Sequence, residues 1–176
     1  MRFTPLPERD VLPQRKSRLD DPAAGERDAT ETMSAPRQSA PRARVLFVCY
    51  GNACRSQMAE GFAKAYHADV MEAESAGISP LGFVPEETAA TMLERDVSLK
   101  GHRSKGMDAF DPRSFDLIVN MSGFPFPAAL GKVVEIVEWT VDDPYLGNDR
   151  RYRKVRDDIE KRVAALSAKL RAKVGV

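Results

Sequence analysis

RVLFVCYGNACRSQMAEGFAKAYH, residues 44–67, decides how the chain is read. Residues 45–48 form a short apolar run, Val-Leu-Phe-Val, the mark of a strand buried on both faces. A polar loop follows, and its Gly51 and Asn52 are residue types that tolerate the positive φ of a tight turn. Beyond Ser56, a candidate helix cap, Ala59, Phe62, Ala63 and Tyr66 recur at helical spacing. The stretch therefore reads strand, loop, helix. It also holds both of the chain's cysteines, Cys49 and Cys54.

The pattern continues outward. A second strand is expected over 70–75, ending at Gly77, with Pro80 and Gly82 in the loop beyond. Pro85 at a first helical position, with Glu86 and Glu87 behind it, opens another helix whose apolar side is Ala89, Met92 and Leu93. Two further strands are expected over 115–121 and 132–139. A last helix starts near Asp149 and carries Tyr152, Val155, Ile159, Val163, Leu166 and Leu170 along one stripe. Strands alternating with helices predict a three-layer α/β fold, a four-stranded parallel sheet flanked by helices with right-handed crossovers. Such sheets bind ligands beyond the carboxyl ends of their strands. That rule brings residues 49–56 and 142–145 to one rim.

Composition narrows the function. The chain has 176 residues, 27 basic and 26 acidic, for a formal net charge of +1. That balance gives no electrostatic reason to expect nucleic acid or an anionic membrane as partner. No apolar run approaches the roughly 20 residues that span a bilayer, and the N-terminus lacks an apolar signal core. Two cysteines are too few for a disulfide framework, so the expected location is a reducing cytoplasm. Residues 1–43 hold six of the twelve prolines and a single aromatic, Phe3, among closely mixed charges. They are expected to form a disordered arm, read either as a regulatory tail or as the product of an over-extended start codon. Residues 44–176 suit one domain.

The loop admits a metal, a disulfide staple or covalent chemistry. Zinc takes three or four protein ligands. Cys49 and Cys54 supply two, His67 falls at the far end of the helix, and Arg55 repels a cation, so no metal is expected. An anion fits better. A loop between a strand and a helix N-terminus offers inward N–H groups and the positive end of the helix dipole. Arg55 adds a planar fork matched to two oxyanion oxygens. A thiol beside that guanidinium and helix start favours its thiolate, which makes Cys49 a nucleophile beneath a bound phosphorus.

Cys49, five residues, then Arg55 and Ser56 follow the pattern C-x5-R-S. With VLFVCYGNACRSQMAE, SAGIS at 75–79, GHRSK at 101–105, FDLIVNM at 115–121 and DDPY at 142–145, residues 44–170 resemble the low-molecular-weight protein tyrosine phosphatases. The resemblance implies roles. Cys49 is the nucleophile, Arg55 clamps the phosphoryl oxygens, and Ser56 hydrogen-bonds the thiolate. Asp143 protonates the leaving group and then activates water. Tyr50, Gly51, Asn52, Ala53, Cys54 and Ser56 complete the phosphate-binding loop. Asn52, Ser75 and His102 hydrogen-bond one another to hold its shape. Cys54 is a redox partner that closes a reversible disulfide with Cys49. Tyr50 and Tyr145 line the cleft.

The implied activity is hydrolysis of phosphotyrosine or aryl phosphate through a cysteinyl-phosphate, without cofactor, releasing inorganic phosphate. The partner it implies is a phosphotyrosine protein. The alternative is an arsenate reductase using a small-thiol cosubstrate, on the same fold and loop. Thioredoxin-coupled reductases use two further cysteines beyond the third strand, and no cysteine follows Cys54 here. Trp139 resembles some reductases, whereas Asp-Pro-Tyr favours hydrolysis. The chain departs from many phosphatases at Asn120, Met121, Ser122 and Leu146, which blurs the substrate. Asp142 competes with Asp143 for the acid role. His67 is assigned to the surface, and Arg150, Arg151, Arg153, Lys154 and Arg156 to the solvated face of the last helix.

Overall fold

β1 (Ala43–Cys49) lies inside a parallel sheet, between β2 (Met71–Gly77) and β3 (Leu117–Asn120). β4 (Glu135–Glu138) pairs with β3, giving the order β2-β1-β3-β4. The computed structural model describes residues 42–174, so the expectation of an N-terminal arm falls outside the described residues except at Arg42 and Ala43. β1 is apolar on both faces because both are covered. Val45, Phe47 and Cys49 point to one core, and Leu46 and Val48 to another. Each such fully buried side chain contributes about 1.5–3 kcal/mol.

The first core is closed by α1 (Arg55–Tyr66) and α3 (Asp149–Val174), with α2 (Glu86–Leu93) packed on both helices. All six residues of the predicted α3 stripe are buried. The other face is covered by shorter pieces, the one-turn 3-10 helices Met107–Ala109, Pro112–Ser114 and Leu130–Lys132, with Phe110, Phe126 and Leu130 packed in. This is the predicted α/β class, a four-stranded parallel sheet flanked by helices. No helix among the described residues is long and apolar enough to cross a membrane.

Several local expectations shift. The last two strands are shorter than predicted, because residues 130–132 turn as a 3-10 helix and Trp139 lies beyond the end of β4. Pro85 is the residue before α2 rather than its first, with extended backbone (ψ 146°). The buried side of α2 is Thr88, Thr91 and Met92, while Leu93 is exposed. Tyr66, in the last turn of α1, is also exposed. Arg156 is not on the solvated face. It is 5% exposed, donating to Thr91 O (2.9 Å) and to the Glu94 carboxylate (2.6 Å) across the α2–α3 contact. A buried guanidinium is tolerated only with such partners.

Candidate active site

Cys49 ends β1 and Arg55 begins α1, so the five residues between them turn around the carboxyl edge of the sheet. The loop carbonyls are tied outward. Cys49 O, Tyr50 O and Gly51 O accept from the N–H groups of Ile78 (3.1 Å), Ser79 (2.9 Å) and Leu81 (2.9 Å), and Gly51 O accepts also from Ser104 Oγ (3.0 Å). A curve whose carbonyls face out turns its amide N–H groups in, and these join the unsatisfied N–H groups of the α1 start. Asn52 takes φ +46° at the turn, as its residue type allows. Gly77 makes the close approach possible. A Cβ there would lie 2.8 Å from both Asn52 N and Tyr50 O.

Cys49 is buried, its Sγ 3.0 Å from Ser56 Oγ. Ser56 therefore faces Cys49 and does not cap α1. The helix is preceded by Cys54 and has no side-chain cap. Arg55, 7% exposed, spans the strand ends. Its Nη1 donates to Met121 O (2.9 Å) and Val141 O (3.4 Å), and its Nη2 to Asp143 Oδ2 (2.5 Å). Its Nε is buried and has no partner among the described residues. A cation so placed is compensated by Asp143, whose other oxygen accepts from Tyr145 N (3.2 Å). Asp142 turns away to Lys154 (3.5 Å) on the surface, so only Asp143 of the pair reaches the cup.

Cys54 lies beneath the loop, 3% exposed, with its Sγ 3.8 Å from Tyr152 Oη. Burial pushes its thiol up to about 11, helped by electrostatic repulsion from neighbours such as Asp143 and only partly offset by contacts with Thr88 and Tyr152. Both cysteines are buried and border the same cleft, Cys49 against Ser56 and Cys54 against Tyr152. The cleft above them, about 270 Å³, is walled by Tyr50, Leu81 and Tyr145, with Ala53 and Gly51 on the loop side. Tyr50 and Tyr145 stand half-exposed at its mouth, and Phe124 lies 5.9 Å from the Tyr50 ring, centroid to centroid.

Asn52 Nδ2 donates to Ser56 Oγ and Ser75 Oγ, both at 2.8 Å, which joins two predicted members of the supporting network. His102 is not bonded to either. Its Nδ1 meets Gln57 Oε1 at 2.9 Å, and Gln57 Nε2 in turn meets Asn52. Gln57 and Glu60 escaped the sequence reading. Glu60, 3% exposed, accepts from Ser75 Oγ and pairs with Lys64 (2.5 Å). Their signal was available: positions 56, 57 and 60 share one helical face directly after the loop. Burial pushes the His102 imidazole below its ordinary value, against the opposing pull of Glu60. His67 is partly buried at the end of α1, far along the helix from Cys49. No group of three or more metal-ligating side chains occurs among the described residues.

What the arrangement can do is grip a tetrahedral oxyanion by backbone amides and a guanidinium, directly over a sulfur nucleophile. The chain is 36% identical over 127 residues to an arsenate reductase of Halalkalibacterium halodurans, covering 68% of this chain and 91% of that one. It is 32% identical over 132 residues to the glutaredoxin arsenate reductase of Synechocystis sp., covering 72% and 98%. A solved arsenate reductase in its phosphate-binding state superposes with a TM-score of 0.68 at 31% identity, covering 73% of this chain and 98% of that one. Residues 44–176 match the model of the low molecular weight phosphotyrosine protein phosphatases, and the chain belongs to that family.

Proposed function

We propose that this chain is an arsenate reductase that draws its electrons from an external small thiol. The sequence reading placed tyrosine phosphatase first and this activity second. The arsenate reductases among its relatives support the reverse order. The observation that carries the thiol source is the state of the second cysteine, which borders the same cleft as Cys49 but whose thiol is raised well above its ordinary range. Burial keeps Cys54 protonated, and the sequence offers no other thiol.

The Cys49 thiolate attacks arsenic(V) while Arg55 and the loop amides hold the oxygens. A Cys49–As bond forms, an As–O bond breaks, and the oxygen leaves as water, with Asp143 placed at the rim to manage the proton. The external thiolate then attacks the Cys49 sulfur. The S–As electron pair passes to arsenic, arsenite departs, and Cys49 is left as a mixed disulfide. A second equivalent of thiol releases the symmetric disulfide and restores Cys49. The sum is arsenate plus two thiols giving arsenite, one disulfide and water.

Hydrolysis of aryl phosphates is the second reading. It is favoured by the Asp-Pro-Tyr loop, which sets Asp143 on Arg55, and by the aromatic mouth of Tyr50, Tyr145 and Phe124. One experiment separates them. Purified protein is given arsenate with glutathione or mycothiol, and arsenite is measured beside p-nitrophenyl phosphate hydrolysis. Thiol-dependent arsenite release that is lost in Cys49→Ser supports reduction. Phosphate release with no arsenite from either thiol overturns it in favour of hydrolysis.

A further inference from the structure

Gln57 is fully buried in the first turn of α1. Its Nε2 faces three oxygens, Asn52 O (3.0 Å), Asn52 Oδ1 (3.0 Å) and Arg103 O (2.9 Å). Its Oε1 faces His102 Nδ1 (2.9 Å). The amide can stand only this way round, because a flip would press its oxygen against three acceptors. Asn52 is thereby saturated. Its side-chain nitrogen donates to Ser56 and Ser75, while its oxygen accepts from Gln57 and from Lys105 N (2.6 Å). Since Ser56 Oγ already accepts from Asn52, its one proton is free to point at Cys49 Sγ, 3.0 Å away.

We propose that Gln57 is a positioning residue for the nucleophile, the buried amide that fixes the left-handed turn at Asn52 and so orients the Ser56 hydroxyl toward Cys49. The chain of contacts runs His102, Gln57, Asn52, Ser56, Cys49, and the fixed amides of Gln57 and Asn52 assign the donors at its two ends, His102 Nδ1 and Ser56 Oγ. It also clips the 101–105 loop to the start of α1 through Arg103 O. The charged groups around His102 are Glu60 and Lys64 on α1, Glu74 on β2 and Lys105 on the loop, and Glu60 with Lys105 also contacts the network itself. Gln57 does not line the cleft and has no hydrogen bond to Arg55, so its polar influence on the sulfur runs through Asn52 and Ser56. The inference rests on Cys49 as the nucleophile, which both functional readings share.

The test uses two variants and one measurement on the unaltered protein. Gln57→Met keeps the bulk and removes every bond. It is expected to slow both iodoacetate alkylation of Cys49 and turnover by about tenfold, the order of one buried hydrogen bond no longer delivered to the sulfur by Ser56. Gln57→Glu keeps the shape and an acceptor for His102 but gives Asn52 no donor, so it is expected to fail at least as badly. Wild-type alkylation and turnover in Gln57→Met, or their restoration in Gln57→Glu, overturns the assignment. Nitrogen NMR of the unaltered protein reads the network without any variant, since the neutral His102 ring should carry its proton on Nδ1. A neutral ring protonated on Nε2 overturns it equally. Failure of the site reading looks different, because Cys49 would then be unprotected by phosphate even in the unaltered protein.

Discussion

Asp143→Asn should tighten oxyanion binding. In the structure the Asp143 carboxylate occupies Arg55 Nη2, so an incoming dianion meets both a competitor and a like charge. The side chain is 48% exposed, and the pair is therefore worth no more than about 1 kcal/mol. The repulsion is larger. One charge against two at about 6 Å, screened almost as in water, amounts to about 1.4 kcal/mol. Removing both terms predicts a gain of about 1.4–2.4 kcal/mol, or tightening of about 10- to 60-fold. Calorimetric titration with inorganic phosphate reads this directly and does not depend on which reaction the enzyme performs. The same variant should lose aryl phosphate turnover by about 10²–10⁴-fold if Asp143 supplies the proton. Unchanged or weaker phosphate binding in Asp143→Asn would refute the claim that the carboxylate and the oxyanion contend for Arg55.

Three further outcomes follow from the geometry. Gly77→Ala forces a Cβ to 2.8 Å from two loop backbone atoms and is expected to cost about 1–3 kcal/mol, read as a lower urea midpoint with reduced activity. Glu94 is held down to about 2 by Arg153 and then Arg156, so its contribution is present above the ordinary carboxylate range and fades as pH falls toward 2. Urea midpoints measured from neutral to acidic pH should therefore fall less steeply through that window in Glu94→Gln. Peroxide is expected to oxidise Cys49 to a sulfenic acid that condenses with the Cys54 thiol, releasing water, and dithiothreitol should then restore activity. In Cys54→Ser that recovery should be lost, and full recovery there would remove the protective role.

The strand, loop and helix over 44–67 were legible because β1 is apolar on both faces and the α1 pattern is local. The α3 stripe was legible for the same reason, with all six positions buried. Residues whose partners come from distant segments were not. Arg156 looks like one more surface cation until α2 brings Glu94 and Thr91 O against it. Thr88 and Thr91 look like the polar side of α2, yet they face the core while Leu93 faces solvent. The site shows the same division. Cys49, Arg55 and Ser56 sit within one motif, and the Asp-Pro register picked Asp143 over Asp142, which the structure places beside Lys154. The link from His102 to Asn52 needed Gln57, a residue whose role exists only once the 101–105 loop folds back onto α1.

The central claim is that the two cysteines differ in reactivity, one an oxyanion-shielded nucleophile and the other a protonated thiol that alkylates slowly. Brief iodoacetate treatment at mildly acidic pH, followed by peptide mass mapping with and without phosphate or arsenate, tests it most directly. The account predicts carboxymethylation at Cys49 alone, suppressed by either oxyanion. Label on Cys54, or labelling of Cys49 at the same rate in the presence of oxyanion, would contradict it.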